Sequence, residues 1–71
     1  MTQDQFLQRL SEEVQLDRAI SAEEMLYDIP EWDSLAMLAT LNVFDEAGIS
    51  IEIDDLESCK SVRDILVKAG F

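Results

Sequence analysis

The sequence predicts an all-α domain, a bundle of three main helices plus one short helix, with a long loop between the first and second helices. Apolar residues recur every three or four positions in three segments, which is the spacing of one helix face. Residues that favour helix N-caps precede these segments, and glycines that favour helix ends follow two of them. A chain of 71 residues can enclose only one small hydrophobic core, so we expect a single domain over residues 1–71.

The first helix is predicted from about Gln3 to Gln15. Thr2 and Gln5 have the spacing of a capping box, in which each side chain accepts a hydrogen bond from the backbone N–H of the other residue. The helix then presents one apolar face, formed by Phe6, Leu7, Leu10 and Val14. This face is the first part of the predicted core.

A long connection follows, from Asp17 to Asp33, in which the helical spacing is lost. Pro30 disfavours helix at the residue before it, and acidic and apolar residues are mixed without a regular period. Connections of this length without structure of their own are uncommon and often functional. We therefore expect apolar residues such as Ile20 and Ile29 to attach the loop to the core, and the end of the loop to be of functional interest.

The second helix is predicted from Ser34 to about Ala47, with Asp33 as its N-cap and Gly48 placed to end it. No charged residue occurs between Leu35 and Phe44, so apolar residues lie on two sides of this helix. One side is expected to face the core: Met37, Leu38, Leu41 and Phe44. The other is expected to form an apolar strip at the surface beside Ser34: Ala36, Ala39, Val43 and Ala47.

The last third of the chain contains a short extended stretch and two helical segments. Isoleucines that alternate with polar residues from Ile49 to Ile53 predict the extended stretch. One of the aspartates at 54–55 is then expected to cap a brief helical turn that runs through Cys59. Ser61 and Asp64 form a second capping box. The final helix that follows carries the apolar stripe Val62, Ile65, Leu66 and Ala69 before Gly70.

The composition excludes several classes of function. Sixteen acidic residues against five basic ones give a formal net charge of -11, which repels nucleic-acid phosphates and anionic lipid headgroups and attracts basic protein surfaces. The chain has no histidine to act as a general base and no cysteine–histidine cluster that could bind a metal. With a single cysteine, no signal-like N-terminus and no membrane-length apolar run, we expect a cytoplasmic protein.

The residues of chemical interest lie where the long loop meets the second helix, at Asp33-Ser34-Leu35. A serine in the first helical turn, directly after an acidic N-cap, has an exposed hydroxyl. A phosphodiester built on that hydroxyl would lie against backbone N–H groups without helical partners and against the positive end of the helix dipole. A simpler interpretation is that Asp33 and Ser34 only cap the helix.

Asp33-Ser34-Leu35 resembles the attachment signature of acyl carrier proteins, in which a serine carries a phosphopantetheine group. The similarity extends over nearly the whole chain. The second helix closes with Phe44-Asp45-Glu46-Ala47-Gly48, an Ile-x-Ile-x-x-Asp-Asp segment follows, and the last helix contains Ser61-Val62-Arg63-Asp64-Ile65-Leu66. The resemblance implies a small acyl-carrier-like bundle that stands alone and is monomeric.

The resemblance also implies a carrier function without catalysis. A phosphopantetheinyl transferase would attach 4'-phosphopantetheine covalently to Ser34, with Asp33 and Leu35 completing the site. The thiol of this arm would hold acyl groups as thioesters for acyl-loading and acyl-transferring enzymes, which would recognise the chain through basic or apolar docking patches. The pathway would be fatty acid, polyketide or other specialised biosynthesis, and those enzymes would choose the cargo.

The second helix departs from the commonest pattern of the family, which has acids shortly after the serine where this chain has alanines. The departure favours a specialised carrier with its own partners. The residues expected to contact a partner, through an apolar strip, an aromatic anchor and an acidic rim, are Ala36, Ala39, Val43, Trp32, Asp28 and Glu31. Two simpler interpretations compete: the alanines only favour helix, and Trp32 only attaches the loop to the core.

Two other functions remain open at this point. An aminoacyl or peptidyl carrier would use the same serine on a similar bundle, but such domains are generally less acidic and usually have glycine upstream of the serine, where this chain has Glu31 and Trp32. An unmodified acidic helical adaptor would bind a partner helix in a groove. Modification of Ser34 separates both kinds of carrier from the adaptor.

Overall fold

The structure, a computed structural model, describes all residues from Met1 to Phe71. It contains four α-helices, α1 (Gln3–Glu13), α2 (Ser34–Glu46), α3 (Ile53–Glu57) and α4 (Val62–Lys68), and a 3-10 turn at Leu26–Asp28. The predicted class is therefore confirmed: three main helices and one short helix, with a long segment between the first two. The longest helix, α2, has 13 residues, fewer than the roughly 20 that span a bilayer, and none of the four is a candidate for crossing a membrane.

The local signals at the helix starts and ends are largely confirmed. The capping boxes predicted for α1 and α4 are both complete, formed by Thr2 with Gln5 and by Ser61 with Asp64. α2 begins at Ser34 and ends at Glu46, and Gly48 follows in the left-handed conformation with a φ of 76°. These features depend only on residues a few positions apart, so the sequence pattern is sufficient to predict them.

α1 ends two residues earlier than predicted, because the chain turns sharply at Gln15. The N–H of Gln15 donates to the carbonyl of Glu12 (3.1 Å), and the N–H of Leu16 donates to that of Ser11 (2.9 Å). These two bonds are the Schellman arrangement that ends many helices, and they require a left-handed residue at Gln15, whose φ is 65°. The side chain of Leu16 is buried directly after the turn, so backbone bonding and burial together end the helix.

The left-handed conformation of Gln15 predicts that glycine is favoured at this position. A side chain at this φ costs about 1 kcal/mol relative to glycine, and α2 and α4 end in the same arrangement with Gly48 and Gly70 at the equivalent positions. We expect Gln15→Gly to raise the free energy of unfolding in urea by about 0.5–1 kcal/mol. Gln8→Gly, on the exposed surface of α1, is the matched control and should lower it by about 1 kcal/mol. A loss of stability in both variants would contradict the strain at Gln15.

The short extended stretch predicted from Ile49 to Ile53 forms no strand, and its last residue is helical, which corrects that end of the prediction. The chain forms a single isolated β-bridge, between Met25 and Ser61, so the alternating isoleucines have no partner strand, and those at 49 and 51 pack individually against the core. Ile53 instead begins α3, and its N-cap is Glu52 rather than either aspartate of the 54–55 pair. The carboxylate of Asp55 still takes part, since it accepts the N–H of Glu52 at 3.1 Å.

The segment between α1 and α2 is held against the rest of the domain by backbone hydrogen bonds. The N–H of Leu26 donates to the carbonyl of Lys60 (2.9 Å), and the N–H of Val62 donates to that of Glu24 (3.0 Å). Nearer α1, the buried hydroxyl of Ser11 donates to the carbonyl of Arg18. Five apolar residues of the segment are buried as well: Leu16, Ile20, Ala22, Leu26 and Ile29. The loop is therefore attached to the core, as its scattered apolar residues predicted.

One hydrophobic core of sixteen buried residues joins the four helices and the loop. At its centre the rings of Phe6 on α1 and Phe44 on α2 meet edge to face, with their centroids 5.2 Å apart. The ring of Phe71 lies 5.6 Å from that of Phe6. The C-terminal residue thus packs on the same aromatic pair that joins the two longest helices.

Candidate functional site

Ser34 is the first residue of α2 and is exposed to solvent, as predicted. The chain reaches it through a tight turn in which the N–H of Trp32 donates to the carbonyl of Ile29 (3.0 Å). The side chain of Ile29 is buried in the core, and Pro30 occupies the second position of the turn, where its fixed φ is favoured. The loop end and the helix start together hold Ser34 in a defined position at the surface.

The backbone around Ser34 offers hydrogen-bond donors that have no partner. The carboxylate of Asp33 accepts the N–H of Ala36 (3.0 Å), and the carbonyl of Asp33 accepts the N–H of Met37 (3.1 Å). The N–H groups of Ser34 and Leu35 have no acceptor in the chain, and the Ser34 hydroxyl forms no hydrogen bond. Because these groups lie at the positive end of the α2 dipole, they can stabilise an anion attached to the serine.

The two residues of the predicted cap have different roles. Asp33 is the N-cap, whereas the Ser34 hydroxyl caps nothing, so capping explains the first residue and not the second. We expect Asp33→Ala to lower the free energy of unfolding by about 1 kcal/mol and Ser34→Ala to change it by less than about 0.5 kcal/mol. Urea unfolding followed by circular dichroism measures both effects. Equal losses in the two variants would contradict this division of roles.

α2 turns a different face toward the core than the sequence predicted. Ala36 and Val43, expected at the surface, are buried with exposed fractions of 4% and 0%, and Leu38, expected in the core, is 53% exposed. Ala39 is half-buried and packs against the core, so the predicted apolar strip is not available to a partner. Phe44 is fully buried, as predicted. The other members of the two predicted faces are half-buried against the core: Met37, Leu41 and Ala47.

The orientation of α2 has a physical reason that its hydrophobicity does not reveal. From Leu35 to Phe44 the helix carries no charge and has apolar residues on two sides, so no charged face marks the side that meets solvent. The buried side carries Ala36, which is small enough for close approach, and Thr40, whose hydroxyl donates to the Ala36 carbonyl at 2.8 Å. Because this bond satisfies the hydroxyl, Thr40 is fully buried without an unpaired polar group. Thr40 is thus a core residue despite its polarity.

The exposed apolar residues that follow Ser34 are Leu35 and Leu38, which we call the leucine pair. They lie three positions apart on one face of α2, and Leu35 is 74% exposed. Leu35 belongs to the predicted site, whereas Leu38 does not, because helical projection alone placed it inward. Trp32 is half-buried and packs against the core, which fits the interpretation that it attaches the loop. Tyr27, in the 3-10 turn, is also exposed, and no sequence signal marked it.

The carboxylates at the end of the loop, next to Ser34, are not neutralised within the chain. The three arginines pair with other glutamates: Arg18 and Arg63 with Glu24 and Glu23 earlier in the loop, and Arg9 with Glu12, Glu13 and Glu46 on the helices. Asp28 and Glu31, predicted as an acidic rim, are exposed and belong to no ion pair, and Asp33 uses its carboxylate only as the N-cap. This part of the surface is therefore negative and suited to a basic partner.

An open cleft of about 380 Å³ lies beside the serine. It is lined by residues from the end of α1, the loop and the start of α2: Glu13, Val14, Gln15, Glu31, Asp33, Leu35 and Ala36. The C-terminal end of α1 therefore lies next to the N-terminal end of α2, so the two helices run antiparallel. Ser34 is flanked by a groove that has both apolar atoms and hydrogen-bond acceptors.

Arg9 links the two antiparallel helices near the other end of α2. Its Nε and Nη2 donate to the two carboxylate oxygens of Glu46 (3.1 and 2.8 Å), and its guanidinium also reaches Glu12 and Glu13 on α1. The hydrogen bonds with Glu46 first, and then those with Glu12 and Glu13, raise the pKa of Arg9. The hydrogen bond from Arg9 lowers the pKa of Glu46, so the pair stays charged at neutral pH and fixes how α2 lies on α1.

Asp64 makes part of the stability depend on pH. The N–H groups of Lys60 and Ser61 donate to its Oδ2 (2.9 and 3.2 Å). These bonds, the one from Lys60 first, lower the pKa of Asp64. A carboxyl group whose pKa is lower in the folded chain stabilises the fold fully above its unfolded pKa, and this contribution is lost as the pH falls through the folded pKa.

We therefore expect the free energy of unfolding of Asp64→Asn to fall less steeply on acidification than that of wild type. In wild type, the free energy of unfolding should fall as the pH decreases from about 5 to about 2, and Asp64→Asn should remove part of that slope. Asp54→Asn, at an exposed aspartate that forms no hydrogen bond, is the matched control and should keep the wild-type slope. Urea midpoints measured across this range test the prediction, which a wild-type slope in Asp64→Asn would contradict.

The structure contains neither a cluster of metal ligands nor a reactive thiol. No three His, Cys, Asp or Glu side chains are grouped so that they could hold a metal ion. Cys59 is buried, and burial first, followed by the charge of Asp64, raises the pKa of its thiol. The thiol is therefore protonated at neutral pH and is a weak nucleophile.

Comparison of the chain with protein-family models, with curated proteins and with solved structures found no match. The residues around Ser34 are therefore the ones that indicate a function. They provide an unbonded hydroxyl, two unpaired backbone N–H groups and an exposed leucine pair on the same helix.

Proposed function

We propose that this chain is an acyl carrier protein and that the Ser34 hydroxyl carries 4'-phosphopantetheine. The observation that carries the proposal is the exposed hydroxyl of Ser34, which forms no hydrogen bond and lies beside the unpaired N–H groups of Ser34 and Leu35. Helix capping does not account for a serine at position 34, since the carboxylate of Asp33 caps α2. The resemblance of Asp33-Ser34-Leu35 to the attachment signature of acyl carriers supplies the identity of the attached group.

In the proposed modification, a phosphopantetheinyl transferase transfers the group from coenzyme A. The Ser34 Oγ forms a new bond to the phosphorus next to the pantetheine, and the bond from that phosphorus to the adenosine bisphosphate breaks. The bisphosphate leaves, and the hydroxyl proton passes to a base on the transferase. The N–H groups of Ser34 and Leu35 then stabilise the negative charge of the phosphodiester.

The modified chain acts as a carrier and not as an enzyme. The thiol at the end of the arm holds an acyl group as a thioester and presents it to enzymes of a fatty acid, polyketide or other specialised pathway. This chain holds the arm at a defined position, because Ile29 and the turn before Trp32 fix the start of α2. We place the carrier in the cytoplasm as a monomer, where its single cysteine stays reduced.

The proposed partner surface centres on the leucine pair rather than on the predicted alanine strip. Leu35 follows Ser34 directly, and Leu38 lies on the same face one turn later. The unpaired carboxylates of Asp28 and Glu31 attract the basic surroundings of a partner's docking patch. Apolar contact at the centre with charges at the rim is the usual arrangement of transient protein interfaces.

Intact-mass measurement tests the proposal. The unmodified chain is incubated with coenzyme A and a broad-specificity phosphopantetheinyl transferase, beside a known carrier as positive control. We expect wild type to gain one phosphopantetheine and Ser34→Ala to gain none. Ser50→Ala, at an exposed serine without hydrogen bonds, is the matched control and should be modified as wild type is. No gain in wild type while the known carrier is modified would overturn the proposal and favour an unmodified adaptor.

A further inference from the structure

A second and larger cleft, of about 550 Å³, lies between α1 and the loop that follows it. One wall is the face of α1 from Asp4 to Ser11, and the other is the loop segment 16–20. This face is on the flank of α1 opposite Arg9, the residue that contacts α2 through Glu46. Neither Ser34 nor the leucine pair lines the cleft, so it is separate from the proposed carrier site.

The floor of this cleft is apolar and firmly placed. Leu16 and Ile20 are buried, and Leu7 on α1 is half-buried against the core. The hydroxyl of Ser11 donates to the carbonyl of Arg18 and holds the loop at this distance from the helix. The open cleft leaves room for apolar side chains of a partner against this floor.

The rim of the cleft has a net negative charge. Asp4 and Asp17 are exposed and have no hydrogen-bond or ion-pair partner in the chain. Arg18, the one cation of the lining, is already paired, because its guanidinium contacts the Glu24 carboxylate at 2.7 and 3.0 Å. The two aspartates are therefore free to pair with charges from outside the chain.

We propose that this cleft docks a basic amphipathic helix of a partner protein. Apolar side chains of that helix would occupy the floor, and its lysine or arginine residues would pair with Asp4 and Asp17, as in other helix-in-groove complexes. The charge argues for this occupant, since a net charge of -11 repels a second copy of the chain as well as nucleic acid and anionic lipid. A helix docked here contacts neither Ser34 nor the leucine pair, so a partner can hold the domain while the serine serves another enzyme.

An NMR titration of the isotopically labelled chain with a synthetic leucine–lysine peptide, designed as an amphipathic helix, tests the proposal. We expect chemical-shift changes concentrated at residues 4–11 and 16–20, and at least about tenfold weaker binding to the Asp4→Asn/Asp17→Asn variant. Asp54→Asn/Glu57→Gln removes the same charge from α3 and should change the affinity by less than about twofold. A scrambled peptide of the same composition should bind at least about tenfold more weakly.

Four outcomes would overturn the proposal. Shift changes spread over the whole surface, or equal weakening in the two double variants, would mean general charge attraction. Shifts at the cleft on concentrating the chain alone would assign the cleft to a second copy. Thermal melts check that each variant is folded. If Asp4→Asn weakens the first turn of α1, the titration is repeated with Asp17→Asn alone. Unchanged peptide affinity in that single variant would also overturn the proposal.

Discussion

Val43→Asp is expected to abolish folding, whereas Leu38→Asp should leave the domain folded. Val43 is fully buried, so a carboxylate there loses its hydration without gaining a partner, at a cost of several kcal/mol. A domain of this length has a free energy of unfolding of roughly 4–10 kcal/mol in total. Leu38 is more than half exposed, and an aspartate at that position keeps its hydration.

Circular dichroism and urea unfolding of the two variants measure this difference. We expect no cooperative transition in Val43→Asp, and in Leu38→Asp a transition within about 1 kcal/mol of wild type. Both variants introduce the same charge on the same helix, so the comparison isolates the orientation of α2. The reverse outcome would place Leu38 in the core, as the sequence alone predicts, and would contradict the structure.

Leu38→Asp is also expected to slow the attachment of phosphopantetheine to Ser34 by at least about tenfold, the effect of losing roughly 1.4 kcal/mol of transition-state binding. In the proposed complex the transferase reaches Ser34 across the leucine pair, and a carboxylate there would be desolvated against an apolar surface. The substitution leaves the serine, its cap and the fold intact. The loss would therefore report docking.

Initial rates of modification, expressed as kcat/KM for the carrier, measure this effect. Val67→Asp introduces the same charge at an exposed apolar residue of α4, and the transferase should modify its Ser34 within about twofold of the wild-type rate. Equal rates in both variants would remove the leucine pair from the docking surface. Ser34 would remain the attachment point in that case, since wild type and both variants would still be modified.

The features that sequence predicted well are those set by residues close together in the chain. The capping boxes, the start of α2 at Ser34 and the end of α2 before Gly48 all follow from contacts over a few positions. The exposure of Ser34 follows from a polar residue at the first helical position, since Gln3 of α1 is exposed there as well, whereas the apolar Val62 of α4 is buried. The position of the candidate site could therefore be predicted without the fold.

The features that sequence did not predict depend on partners far away along the chain. The course of the loop depends on the bonds of Leu26 and Glu24 with the α3–α4 connection, which no local pattern contains. The orientation of α2 depends on how Ala36 and Thr40 pack, and a helix without charges from Leu35 to Phe44 gives no periodic signal for it. For this reason the proposed partner surface is the leucine pair and not the alanine strip that the sequence predicted.

The most direct test of the attachment site is to identify the modified residue in the chain. Wild type that has been incubated with coenzyme A and the transferase is digested, and its peptides are fragmented in a mass spectrometer. We expect 4'-phosphopantetheine on Ser34 and on no other serine or threonine. Modification at a different residue, or an unmodified Ser34 beside a fully modified control carrier, would contradict the proposed function.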